Sequence, residues 1–130
     1  MIVIDASATV EFLLGTEPGE RVGARISSVD ETLHAPHLLD LEVANALRRW
    51  VRQGSVTATR AQAALADLHD MSVIRYPHDI FLPRIWELRW NASAYDAAYL
   101  ILGESLSAPV VTCDSRVAGI PGHRAMVEVI

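Results

Sequence analysis

Hydrophobic residues in this chain fall into short unbroken runs, separated by longer stretches in which they recur every three or four positions. The first run, Ile2 to Ile4, is too short for a helix, rich in β-branched residues and ends at Asp5, which predicts a buried strand. A loop or a helical turn is expected over Ser7 to Leu14. Gly15, Pro18 and Gly19 then punctuate the chain before a helix from about Glu20 to Ser28, with Val22, Ile26 and Val29 on one side. A brief strand is expected near Leu33 to Ala35. After Pro36, the segment HLLDLEVANALRRWVRQG carries an apolar stripe of Leu39, Val43, Ala46, Leu47 and Trp50 and stops at Gly54, the clearest helix in the sequence.

Thr57 or Thr59 can cap a further helix through Ala61, Ala64, Leu65 and Leu68, and Ser72 to Tyr76 reads as a strand broken by Pro77. A helix from about Ile80 to Trp90 follows, then the helical segment SAYDAAYLILGESLSA from Ser93. Pro109 to Thr112 forms a strand ending on Cys113 and Asp114, and Met126 to Ile130 a last one. Short apolar strands alternating with helices predict an α/β sandwich with a largely parallel sheet, whose ligands gather beyond the carboxyl ends of the strands. Asp5 and Asp114 stand at two such ends.

Length and composition narrow the picture. The 130 residues suit one domain spanning 1–130, with no internal repeat or linker. Cys113 is the sole cysteine, so an intramolecular disulfide and thiolate zinc sites are excluded, and a reducing, cytoplasmic setting is expected. Neither a signal peptide nor an apolar run long enough to span a bilayer is present. All 11 basic residues are arginine, which excludes P-loop and Schiff-base chemistry and the phospho-acceptor and aspartate-nucleophile enzymes that rely on a lysine beside the phosphate. The net charge of -5 opposes nucleic-acid binding, but two divalent cations in an acidic pocket would take it to about -1.

Four carboxylates stand out, each with an ordinary structural role beside a chemical one. Asp5 sits where a strand opens into a turn and could serve as an N-cap. Glu42 lies at the border of its helix's apolar stripe, roughly 40° from Ala46, which implies partial burial; the alternative is a surface ion pair with Arg48 or Arg49, neither at the favourable spacing. Asp96 follows Ser93 by three residues, a capping-box geometry that is compatible with a metal-binding carboxylate because a helix N-terminus favours the ionised form. Asp114 ends a strand and can make a turn with Ser115 and Arg116. Together they would meet at one edge of the sheet. Clustered acids repel unless a cation binds, and hard carboxylate oxygens suit magnesium or manganese. Two such ions can activate water, position a scissile phosphate and stabilise the leaving oxygen. The hydroxyls of Ser7 and Thr112, each two residues from an acid, could orient these groups.

The five histidines lack zinc-ligand spacing and most are expected on the surface or in loops, and Trp50, Trp86 and Trp90 are expected in the core or at an oligomer interface rather than against bases. Arg48, Arg49 and Arg52 form a basic patch beyond Glu42, and Arg116 follows Asp114, so these four are candidates for RNA phosphate contact.

The motifs VIDAS, LLDLEVANAL, SAYDAAYLILG and VVTCDSRVA, in that order, resemble the PIN-domain family, and within it the VapC-type ribonuclease toxins. Asp5, Glu42, Asp96 and Asp114 match that family's acidic residues and Thr112 its hydroxyl residue, whereas Asp40 falls outside the set. The resemblance implies a three-layer α/β/α fold, an endoribonuclease dependent on Mg²⁺ or Mn²⁺, frequent homodimerisation and inhibition by a cognate antitoxin. Two other readings stand beside it. One is a catalytically silent PIN-like module that binds RNA or protein, which would be expected to have lost some of the acids; the other is a nuclease directed at DNA.

Overall fold

A computed structural model describes all residues from Met1 to Ile130. Five parallel strands, β1 (Ile2–Ile4), β2 (Leu33–Pro36), β3 (Val73–Tyr76), β4 (Val110–Thr112) and β5 (Val127–Val129), form one sheet in the order β3-β2-β1-β4-β5. The helices are α1 (Ala6–Leu14), α2 (Glu17–Ile26), α3 (Leu39–Arg52), α4 (Ala58–Asp70), α5 (Leu82–Glu87), α6 (Ala94–Leu106) and α7 (Ser115–Ala118), with a 3₁₀ turn at Asp79–Phe81 before α5.

Alternation along β1 decides the layers, since successive side chains of a strand point to opposite faces. Val3 joins Ala35 and Val110 in a core with Leu39, Val43 and Leu47 of α3, Ala64 and Leu68 of α4, and Tyr99 and Leu102 of α6. Ile2 and Ile4 face the other way, with Val111, Ala8 of α1 and Val22 of α2. Helices therefore cover both faces, giving the expected α/β/α sandwich. A third cluster, Ile85 and Leu88 against Ala97, Ala98 and Ile101, docks α5 on α6.

Several local expectations change. Ser7 to Leu14 is a full helix, not a loop or single turn: Asp5 caps it and Gly15 ends it at φ 63°. The helix is apolar on several sides, with Ala8, Thr9, Val10 and Leu13 all buried, so it shows no amphipathic period. Pro18 and Gly19 lie inside α2 rather than before it, Pro18 where no amide is needed and Gly19 where α2 crosses α1. A Cβ on Gly19 would lie 2.0 Å from the Glu11 carbonyl oxygen. Val29 stands beyond the helix and is fully exposed, and Leu65 is exposed on α4. Trp86 and Trp90 are 68% and 84% exposed, which overturns their placement in the core. His34 is buried on β2, where its ring nitrogens meet Thr32 Oγ1 at 2.8 Å and Tyr76 Oη at 2.9 Å.

Candidate active site

The chain moves from β1 outward to β3 on one side of the sheet and later places β4 on the other side of β1. The strand order thus reverses between β1 and β4, and a crevice forms at their carboxyl ends, where open parallel sheets bind ligands. Asp5 follows β1 and Asp114 follows β4 by two residues.

Asp5 has a double role. As the cap of α1 its Oδ1 accepts the Ala8 amide at 2.9 Å and the Ser7 hydroxyl at 2.7 Å. Burial pushes its carboxyl above the usual range, against the pull of these bonds. The Ser7 and Thr112 hydroxyls meet at 3.1 Å and tie the two strand ends together: Ser7 Oγ also accepts the Cys113 amide, and Thr112 Oγ1 the Asp114 amide, both at 2.9 Å. With its proton given to Asp5, Ser7 accepts from Thr112.

Glu42 occupies the first turn of α3 and is half-buried. Its partner is neither Arg48 nor Arg49: the Tyr99 phenol of α6 donates to Oε2 at 2.6 Å. Burial raises the Glu42 carboxyl, the charges of Asp96 and Asp5 raise it further, and the phenol's bond opposes them. Burial, then the Glu42 charge, pushes Tyr99 far up, so the phenol stays a donor. Asp96 lies in the first turn of α6, where Ser93 Oγ accepts its amide at 3.1 Å and donates to its Oδ2 at 2.8 Å. Asp114 caps α7 through the Arg116 amide at 3.0 Å, and the Arg116 guanidinium beside it, Nε to Oδ1 at 2.9 Å, holds its carboxyl below the usual range.

All four carboxylates line one cavity of about 370 Å³, together with Ser7, Glu11, Asn45, Arg49, Tyr99 and Arg116. Each is satisfied by its own neighbour, and no three acidic, histidine or cysteine side chains close on a common point. Of the basic candidates, Arg49 and Arg116 reach this cavity; Arg48 turns to Asn45 at 3.1 Å, and Arg52 lies with it on a separate shallow surface. Asp40 is held by Arg75 at 2.8 Å, away from the site.

Glu11, Asn45 and Tyr99 were not among the sequence candidates. Helical spacing carries them: Glu11 is four residues from Ser7, Asn45 three from Glu42 and Tyr99 three from Asp96. Glu11 became legible only with α1, since its side of that helix follows from the helix itself.

A family model described as the PIN domain matches residues 2–122. The chain belongs to the PIN-domain family. Ribonuclease VapC9 of Mycobacterium tuberculosis is 41% identical over 130 residues, spanning 100% of this chain and 98% of that protein. Ribonuclease VapC12 of the same organism is 37% identical over 130 residues, spanning 100% and 99%. The crystal structure of Mycobacterium tuberculosis VapC20, described as a sarcin-ricin loop cleaving toxin, has the same fold, with a TM-score of 0.71 at 16% identity over 95% of this chain and 97% of that one. The resemblance expected from the motifs is met along the whole length of this PIN domain, and its full-length relatives are VapC ribonucleases.

Proposed function

We propose that this chain is an endoribonuclease dependent on Mg²⁺ or Mn²⁺ and the toxin of a toxin–antitoxin pair, with residues 1–130 acting as one domain. The observation that carries the reading is the shared cavity: acids from positions 5, 42, 96 and 114 gather at the sheet's switch point, in a chain whose full-length relatives are ribonucleases. The donors suit a hard divalent cation, being carboxylate and hydroxyl oxygens with no histidine in the cavity wall, and the one thiol there, Cys113, is pushed up by burial and so kept from the thiolate form. The Ala8 and Ser7 bonds to Asp5 both fall on Oδ1, and the charges of Asp96 and Asp5, which add to the larger effect of burial in raising the Glu42 carboxyl, are ones a cation would offset. Asp5, Glu42 and Asp96 would hold the ion. Asp114 joins them on leaving Arg116, an exposed partner whose solvent-screened pairing is worth little. A bound cation there would neutralise the scissile phosphate and lower the pKa of the attacking water.

The chain's own groups do the rest. The Ser7–Thr112 bridge fixes the two strand ends and hence the spacing of Asp5 and Asp114, a positioning role. Arg49 and Arg116 at the cavity wall suit phosphate oxygens, and no lysine is needed. A homodimer, a cytoplasmic setting and inhibition by a cognate antitoxin protein accompany the reading. No helix is long and apolar enough to cross a membrane.

The test is purified protein on total cellular RNA, with and without Mg²⁺, followed by mapping of new ends. Cleavage is expected only with the cation, and Asp5→Asn, Asp96→Asn and Asp114→Asn should each lower it by about a hundredfold or more while leaving the circular dichroism spectrum unchanged. Undiminished cleavage in excess chelator overturns the metal-dependent reading. Equal cleavage of single-stranded DNA in competition overturns RNA as the substrate.

A further inference from the structure

A second cleft, about 530 Å³, opens beside the acidic cavity and shares Asp96, Asp114 and Arg116 with it. One wall is the segment after α5, carrying Arg89 and Trp90; the other is the loop at Gly119 to Pro121. Asn91 Nδ2 donates to the Pro121 carbonyl at 3.1 Å and ties the walls together. The Trp90 indole is 84% exposed, and the Arg89 guanidinium lies over both the Trp86 and Trp90 rings, with its central carbon 5.3 Å and 5.4 Å from their centroids. Arg89 also donates to the Trp86 carbonyl at 2.9 Å, so this side chain is held on the indoles rather than extended into solvent.

Large exposed indoles on a soluble surface mark contact with another molecule. Its chemistry is set by what surrounds them: cations on both sides of the opening, Arg89 and Arg116, and a continuous path to the acids proposed to act on a phosphodiester. Resting on that reading of the acidic cavity, we propose that the cleft is a base-stacking subsite, in which Trp90 takes an unpaired nucleobase on the ring face away from Arg89, next to the scissile phosphate, while Arg116, once released from Asp114, faces the backbone. A base locked in a duplex presents no free face to an indole, so this subsite would tell unpaired from paired nucleotides. Stacking also answers the chain's charge: at -5 a general field cannot gather RNA, whereas aromatic contact is not screened by salt.

The experiment measures binding apart from cleavage, in the Asp5→Asn background with Mg²⁺ present, by the anisotropy of a labelled octauridylate, a labelled octaadenylate and a blunt RNA duplex. The single strands should bind more tightly than the duplex. Adding Trp90→Ala should weaken the single strands about tenfold, Trp90→Phe should restore most of that, and one abasic nucleotide beside the mapped cleavage position should reproduce the alanine effect. Because the ring is exposed, its removal leaves the fold intact, checked by thermal melting. Unchanged single-strand binding in Trp90→Ala overturns the subsite even if wild-type protein cleaves RNA. Absence of cleavage by wild-type protein with stacking retained instead removes the proposed reaction and leaves the subsite standing. Dissociation of Trp90→Ala to a smaller species in light scattering, without loss of RNA affinity per chain, overturns the subsite in favour of an interface between copies.

Discussion

Tyr99 and Glu42 illustrate how one side chain can serve the core and the cavity together. The ring packs among buried apolar residues while the phenol reaches the half-buried carboxylate. Tyr99→Phe keeps the packing and removes the donor. Since water can reach Glu42, the expected cost is about 1 kcal/mol in urea unfolding rather than the larger loss of a fully buried charged partner. His34 is a different kind of residue, a buried base remote from the acids. Burial holds it below its ordinary value of 6.5, with the N-terminal charge adding to the effect. The unfolded chain therefore takes up the proton first. Stability is retained above about pH 6.5 and is lost as pH falls from there through the lower folded value. In denaturation at pH 7.5 and 5.5, wild-type protein should lose stability relative to His34→Gln, and parallel profiles would refute the role of that ring.

Between α1 and α2 the deciding contact is backbone to backbone. The Cβ of Gly19→Ala would fall 2.0 Å from the Glu11 carbonyl oxygen, and neither main chain can yield as a flexible side chain could. We expect a loss of about 3 kcal/mol or more in thermal or urea unfolding. Cleavage should fall with it, because α1 carries Ser7 and Glu11 into the cavity. This pair of helices also shows where a linear reading stops. The strands and α3 announced themselves through β-branched runs and a one-sided stripe, and Glu42's position at the stripe's border foretold its partial burial. α1 gave no such signal: buried on more than one side, it has no polar face to set a period, and its cap is a residue already singled out as a candidate ligand. Gly19 reads locally as a breaker, and only the crossing of two helices explains it. For Trp86 and Trp90 exposure removes the core alternative and leaves the interface one, since helical spacing cannot tell a core-facing indole from one offered to a partner.

For the molecule as a whole, the sheet brings four acids from distant parts of the chain to one cavity. A cation that binds the folded cavity and not the unfolded chain must stabilise the fold by mass action, by about 2.7 kcal/mol at a hundredfold excess over its Kd. Mg²⁺ or Mn²⁺ should therefore raise the melting temperature, chelator should reverse the rise, and Asp5→Asn should abolish it. An equal shift in the variant would place the ion elsewhere. The strand order has one more consequence, which concerns time. Asp5 and Asp114 lie 109 residues apart in the chain, and Asp114 follows a strand that must slot in beside the first one. Chains fold as they emerge from the ribosome, amino-terminal parts first. A partly made copy that has not yet reached β4 would thus carry three of the proposed acids on an unfinished sheet, and the cavity can close only after Asp114 has been made.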